Sequence, residues 1–147
     1  MFNFRLQTIL DVRKTMEDKV LSEFSEKQKE LQKEKGVLQS IQQQKKELMD
    51  ALRDIQGRTV NVSEITMNSD SMKRCQKKES LQKERLREAK MKVNAKREEL
   101  LEAAKKRKVM ETLKTRQLEK YRSDAGVLER KAVDEMAIAR HNRRKQE

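Results

Sequence analysis

The sequence predicts an all-α protein, a long antiparallel two-helix coiled coil folded as a helical hairpin. Three observations carry that expectation. Charged residues make up 42% of the 147 residues, against 34% hydrophobic and 3% aromatic; such a balance suits a long helix or a disordered chain rather than a compact core. Apolar residues recur at heptad spacing through two long stretches. Between those stretches, residues 57–71 read GRTVNVSEITMNSDS, a break containing a glycine and several capping residues.

The first stretch predicts a helix over about residues 4–56. Leu10, Phe24, Leu31, Leu38 and Leu52 share one seam position, and Leu6, Val20, Ile41, Leu48 and Ile55 share the other. The polar interruptions at Asn3, Arg13, Glu17, Lys27, Glu34 and Lys45 lower the stability of the seam and can fix its register. Pairs four apart, such as Glu23 with Lys27, are expected to support the exposed face by about 0.3 kcal/mol each.

Residues 57–71 are expected to form the tip. Gly57 would end the first helix in a left-handed conformation. Asn61 and Glu64 would cap a short helical turn, and Asn68 to Ser71 would start the second helix.

The second helix is expected over about residues 72–140, followed by a basic tail at 141–147. Met72, Leu86, Val93 and Leu100 share one seam position, and Cys75, Ala89, Ala103 and Met110 the next. Past Met110 the seam slips by one residue, to Leu118, Ala125, Ala132 and Ala139 beside Tyr121 and Leu128, which relaxes a supercoil locally. The whole chain, 1–147, reads as a single coiled-coil domain. If Gln56 faces Met72, the chain beyond about Asp124 has no internal partner. Leu128, Ala132, Met136 and Ala139 then need an external one.

Charge divides the chain. Residues 1–71 carry 12 basic and 12 acidic side chains, so the entire net charge of +12 lies in residues 72–147. Lys105 to Lys108 and the group Arg140, Arg143, Arg144 and Lys145 are candidate phosphate-binding patches. Acidic residues interrupt most of the second helix, and four aromatics give no stacking platform. Nucleic acid or ribosome binding is therefore the alternative reading and not the first.

Catalytic and metal chemistry find little support. His141 is the only histidine and Cys75 the only cysteine, far apart in sequence, with no recognised zinc spacing. There is no phosphate-binding glycine loop. The expectation is a non-enzyme with no cofactor, no metal and no small-molecule substrate. No apolar run approaches the ~18 residues of a membrane span. The opening MFNFRLQTIL lacks the features of a secretory signal, and a lone cysteine fits a reducing cytoplasm.

Two stretches are more specific. FNFRLQTILDVRK (residues 2–14) and LKTRQLEKYRSDAGVLERKAVDEMAIARHNR (residues 113–143) resemble, in order and spacing, the two ends of the flagellar FliJ family of the type III protein export apparatus. The aromatic-x-aromatic-Arg-Leu start and the late Lys131, Asp134 and Glu135 carry the resemblance. It implies a coiled coil similar to the central stalk of rotary ATPases, without activity of its own. It implies three partners: the hexameric export ATPase, the membrane export-gate protein and export chaperones. It also implies a place on the cytoplasmic face of the inner membrane at the flagellar base. ATPase contact is implied at Phe4, Arg5, Leu6, Leu10, Arg13, Lys131, Asp134 and Glu135, and the uncovered stripe adds Leu128 and Ala132. Gate contact is implied at Ile41, Leu48, Met72 and Cys75. Seam packing is the competing role for Leu6, Leu10, Leu128 and Ala132.

Overall fold

The computed structural model describes residues 1–59 and 61–145. Val60 of the expected tip, and Gln146 and Glu147 of the expected tail, lie outside the described residues. Two helices account for nearly all of it: α1, Gln7–Gln56, and α2, Val62–Arg144. They pack against each other antiparallel, as a helical hairpin, and no strand occurs among the described residues.

The heptad frame of α1 is realised position by position. Every seam residue from Leu6 to Ile55 is at least half-buried, the polar ones included, and only Asn3 is exposed. The helix begins slightly later than expected. The Gln7 N–H donates to the Phe4 carbonyl at 3.0 Å and the Leu10 N–H to the Leu6 carbonyl at 3.0 Å, which closes the first turn.

The tip departs from the expectation. Gly57 does not adopt a positive φ. Instead α1 tightens as it ends, with the Gly57 N–H on the Asp54 carbonyl and the Arg58 N–H on the Ile55 carbonyl, both at 3.3 Å. Such i→i+3 bonds satisfy terminal carbonyls without a left-handed residue. The second helix then starts at Val62, ten residues sooner than expected. Asn61 is its cap: the Asn61 side-chain oxygen accepts from the Ser63 N–H at 3.4 Å, and the Asn61 carbonyl accepts from the Glu64 N–H at 3.0 Å. Glu64 adds a carboxylate to the first turn, where the helix dipole favours it. Residues 62–71 contain neither Gly nor Pro, so nothing halts the helix once capped. Asn68, Ser69, Asp70 and Ser71 are interior helix residues.

The chain divides into two compact units, residues 18–101 and residues 1–17 with 102–147. In the first of these, residues 18–56 of α1 lie against residues 62–101 of α2. Few side chains are fully buried: Ile55, Cys75 and Val93 are the apolar ones, and Glu79 and Gln82 join them. The Lys45 Nζ donates to Glu79 at 2.8 Å, and Lys83 reaches the same carboxylate at 3.1 Å. The Gln82 Nε2 donates to the Glu34 carbonyl at 3.1 Å and to the Glu34 carboxylate. Lys96 bonds Glu23 at 2.8 Å, so Glu23 is recruited across the pair, while Lys27 turns to Glu30 at 3.4 Å. The expected pairing of Glu23 with Lys27 does not form.

These bonds also set the register. Pairing Gln56 with Met72 would set Lys45 against Lys83, two cations. The shorter turn shifts the partner of Lys45 by about one helical turn, to Glu79.

Glu79 titrates accordingly. Hydrogen bonds from Lys45 and then Lys83 hold its carboxyl at about 2, below the ordinary 4.5. Lys96 holds the Glu23 carboxyl below its ordinary value in the same way. A carboxyl depressed in the folded state contributes stability above its unfolded pKa and loses it as pH falls through the folded one. Glu79→Gln is therefore expected to lower the urea midpoint at neutral pH. The gap between the two proteins should hold down to about pH 4.5 and close as pH falls towards 2. Chemical denaturation of both proteins across that range is the measurement.

Candidate partner-binding surface

Residues 1–17 and 102–145 form the second unit, and it holds every residue of the expected ATPase-contact set. Its core is small. Phe4 is 4% exposed and Leu10 1%. The Phe2 ring lies on Tyr121, with centroids 5.7 Å apart and planes tilted by 50°, a favourable aromatic geometry. Lys114 Nζ donates to the Gln7 side-chain oxygen at 2.8 Å.

A charged cluster sits beside this core. The Arg107 guanidinium bonds Glu17 across the pair and Glu111 one turn along at 2.6 Å. Lys14 approaches Glu111 at 3.9 Å. Glu17, then Glu111, raise the pKa of Arg107 above its ordinary value. Both Glu17 and Arg107 stand at seam positions and are half-buried. Residues 107, 110, 111, 113, 114 and 118 of α2 are all half-buried, a broadened stripe where the sequence slips its repeat.

The seam then outlasts its partner. Ala125 and Gly126 are half-buried, and every described residue from Val127 onwards is exposed. Leu128 is 67% exposed and Met136 61%. Leu118, Tyr121, Ala125, Leu128, Ala132, Met136 and Ala139 recur at three- and four-residue steps, so they share one helix face. This is the same stripe that packs on α1 earlier in α2, now without cover from the described residues.

The expected contact residues fall into two groups. Phe4 and Leu10 are core, and Leu6 and Arg13 are half-buried along the seam. Arg5, Leu128, Lys131, Ala132, Asp134 and Glu135 are exposed. Of these, Leu128, Ala132 and Glu135 share a face at steps of four and three, and Lys131 and Asp134 lie further round the helix with Val127 and Ile138. Phe4 and Leu10 thus hold α1 in place and cannot form a contact surface while the pair stays closed.

The expected gate residues belong to the other unit and are also seam residues. Ile41, Leu48 and Met72 are half-buried, and buried Cys75 directs its Sγ to the Ile41 carbonyl oxygen at 3.6 Å. Sequence reasoning passed over the exposed apolar side chains beside the turn, Val62 at 75% and Met67 at 71%. Their signal was there: both fall outside the heptad frame. Among the described residues no group of three or more His, Cys, Asp or Glu is placed to hold a metal ion. No helix among them is long and apolar enough to cross a membrane.

The geometry defines a class first: an antiparallel coiled-coil protein whose second helix carries an uncovered continuation of its seam. The family follows from comparison. The family described as Flagellar FliJ protein matches residues 1–146, the whole chain but its last residue, and the chain belongs to it. It is accordingly a flagellar protein export component. No curated protein and no solved structure matches this chain.

Two substitutions separate core from surface. Leu10→Ala is expected to cost about 3 kcal/mol, the usual range for deleting a buried leucine. Leu128→Ala should change stability by less than about 0.5 kcal/mol, as exposed positions do. Urea denaturation monitored by circular dichroism reads both. Equal effects would contradict the assignment of Leu128 to the surface.

Proposed function

We propose that this chain is a non-catalytic coupling protein of the flagellar type III export apparatus. It binds the hexameric export ATPase through the exposed stretch of α2 beyond Val127. The observation that carries this reading is the apolar stripe Leu128, Ala132, Met136 and Ala139, a seam in spacing and chemistry with no α1 residue against it. A ring of subunits that closes around this stretch would complete the seam. Arg5, Lys131, Asp134 and Glu135 supply polar groups for the rim of such a contact, where charge sets orientation and encounter rate more than affinity.

The remaining partners belong to the same proposal. The export-gate protein would be engaged by residues 18–101, and the exposed Val62, Ile65 and Met67 are better placed for that than the seam residues Ile41, Leu48, Met72 and Cys75. Chaperones that deliver export substrates would be escorted on the remaining surface. The chain would act on the cytoplasmic face of the inner membrane, held there by its partners. The basic half suits an acidic partner surface; binding to nucleic acid is the competing explanation of the same charge.

The test is the ATP hydrolysis rate of the cognate export ATPase with and without this protein, with sedimentation of the mixture. Stimulation with a ring-sized complex is expected. The double variant Leu128→Asp, Ala132→Asp should lose binding by at least about tenfold, as for central interface positions, with unchanged helicity. Gly36→Ala should behave as wild type, since a methyl there meets no atom within 4 Å. Full stimulation by the double variant would refute the assigned surface. Steep log-linear loss of binding with salt would point to phosphate recognition.

A further inference from the structure

A second surface lies on another face of α2, where Lys105, Lys108, Val109, Thr112, Leu113 and Arg116 line an open groove of about 630 Å³. The residues recur at steps of three and four, so they form one face over three turns. Val109 is 66% exposed and lies on the side of α2 turned away from the seam. The Thr112 hydroxyl donates back to the Lys108 carbonyl at 2.9 Å. Its one donor is thereby turned inward, and its methyl adds to the apolar surface. Val109, Thr112 and the half-buried Leu113 thus make an apolar floor.

Cations stand around that floor. Lys105 meets Glu102 at 3.1 Å, while Lys108 and Arg116 have no ion-pair partner among the described residues. The one carboxylate between Lys105 and Arg116, that of Glu111, is held by Arg107 and Lys14 beside the seam. The groove therefore presents positive charge with nothing of opposite sign inside it. A basic residue that keeps its charge free beside an exposed aliphatic floor matches a ligand with the reverse pattern.

We infer that this groove docks an acidic amphipathic helix of a partner protein. One apolar side chain of that helix fills the floor over Val109 and Leu113, and carboxylates a turn to either side meet Lys108 and Arg116. A bilayer fits less well, because a flat surface cannot fill a groove and the apolar strip is only three residues wide. A nucleic-acid backbone would use the cations and leave Val109 and Leu113 in water. The inference is independent of the ATPase reading, since it uses a different face of α2.

The test uses the full chain and a fluorescein-labelled helical peptide of Leu, Ala and Glu, about five turns long so that it is helical on its own. Its carboxylates flank a single leucine stripe. Comparison ligands are the same peptide with Lys for Glu, vesicles of phosphatidylglycerol with phosphatidylcholine, and a DNA duplex. Anisotropy should show binding of the acidic peptide alone. Val109→Gln, which leaves the charge untouched, should weaken it by about tenfold. The pair Lys108→Glu, Arg116→Glu should abolish it, and the matched pair Lys77→Glu, Lys78→Glu should change it by less than about twofold. Circular dichroism confirms that each variant keeps its helix. Three outcomes would overturn the inference: no binding, equal loss in both charge pairs, or Val109→Gln binding as wild type. Vesicle or duplex binding stronger than peptide binding would also overturn it.

Discussion

A charge held inside a coiled-coil seam is costly unless a nearby group satisfies it. That constraint organises this protein. Lys45 meets Glu79, Glu34 meets Gln82, and Glu17 meets Arg107, each pair built from seam positions of the two helices. A slip of one heptad would set Leu38 or Leu52 against Glu79, and Leu10 or Phe24 against Arg107. It would separate these three pairs at once, and Lys45 would have no carboxylate before it. Aliphatic packing therefore holds the helices together, while the polar layers penalise the neighbouring registers.

The same design leaves a thin core. In the described chain Phe4, Leu10, Ile55, Cys75 and Val93 are the apolar side chains that reach full burial. A two-stranded seam cannot do much better, because each helix shields only one face of the other. Polar pairs at the seam are thus a larger share of the interior than in a globular domain. Their worth lies in specificity of pairing, since the cost of removing each charge from water offsets much of its attraction.

The seam also connects structure to function. Where α1 covers it, the stripe of α2 is structural; past Val127 the identical pattern is exposed. Ring engagement, as proposed, would extend the intramolecular packing by intermolecular means. The groove at Lys105–Arg116 follows different logic, a short apolar floor beside the unpaired cations Lys108 and Arg116. Together they give one helix two surfaces on different faces, which allows two partners at once. Clustering of both on α2 agrees with the charge distribution, since the whole net charge of +12 belongs to residues 72–147.

Much of this was legible in the residues. Heptad spacing set the inward face of α1, including the burial of Arg13, Glu17, Lys27, Glu34 and Lys45, because a helix side chain's direction follows from its position alone. The uncovered stripe was legible too, because α2 repeats its pattern past any residue that α1 can offer. The long tip was misread: a string of good capping residues marks where a helix can start, and Asn61 took that role before the later candidates could. The contact residues were only half legible, since Leu10 and Leu128 carry the same side chain at the same kind of position. Their difference, one buried and one 67% exposed, is set by whether the other helix reaches that level, and so by pairing register. Repetition every seven residues offers several registers. Only the tertiary structure, by placing Lys45 against Glu79 and Arg107 against Glu17, decided between them, because the energy of an ion pair depends on distance and the sequence specifies none.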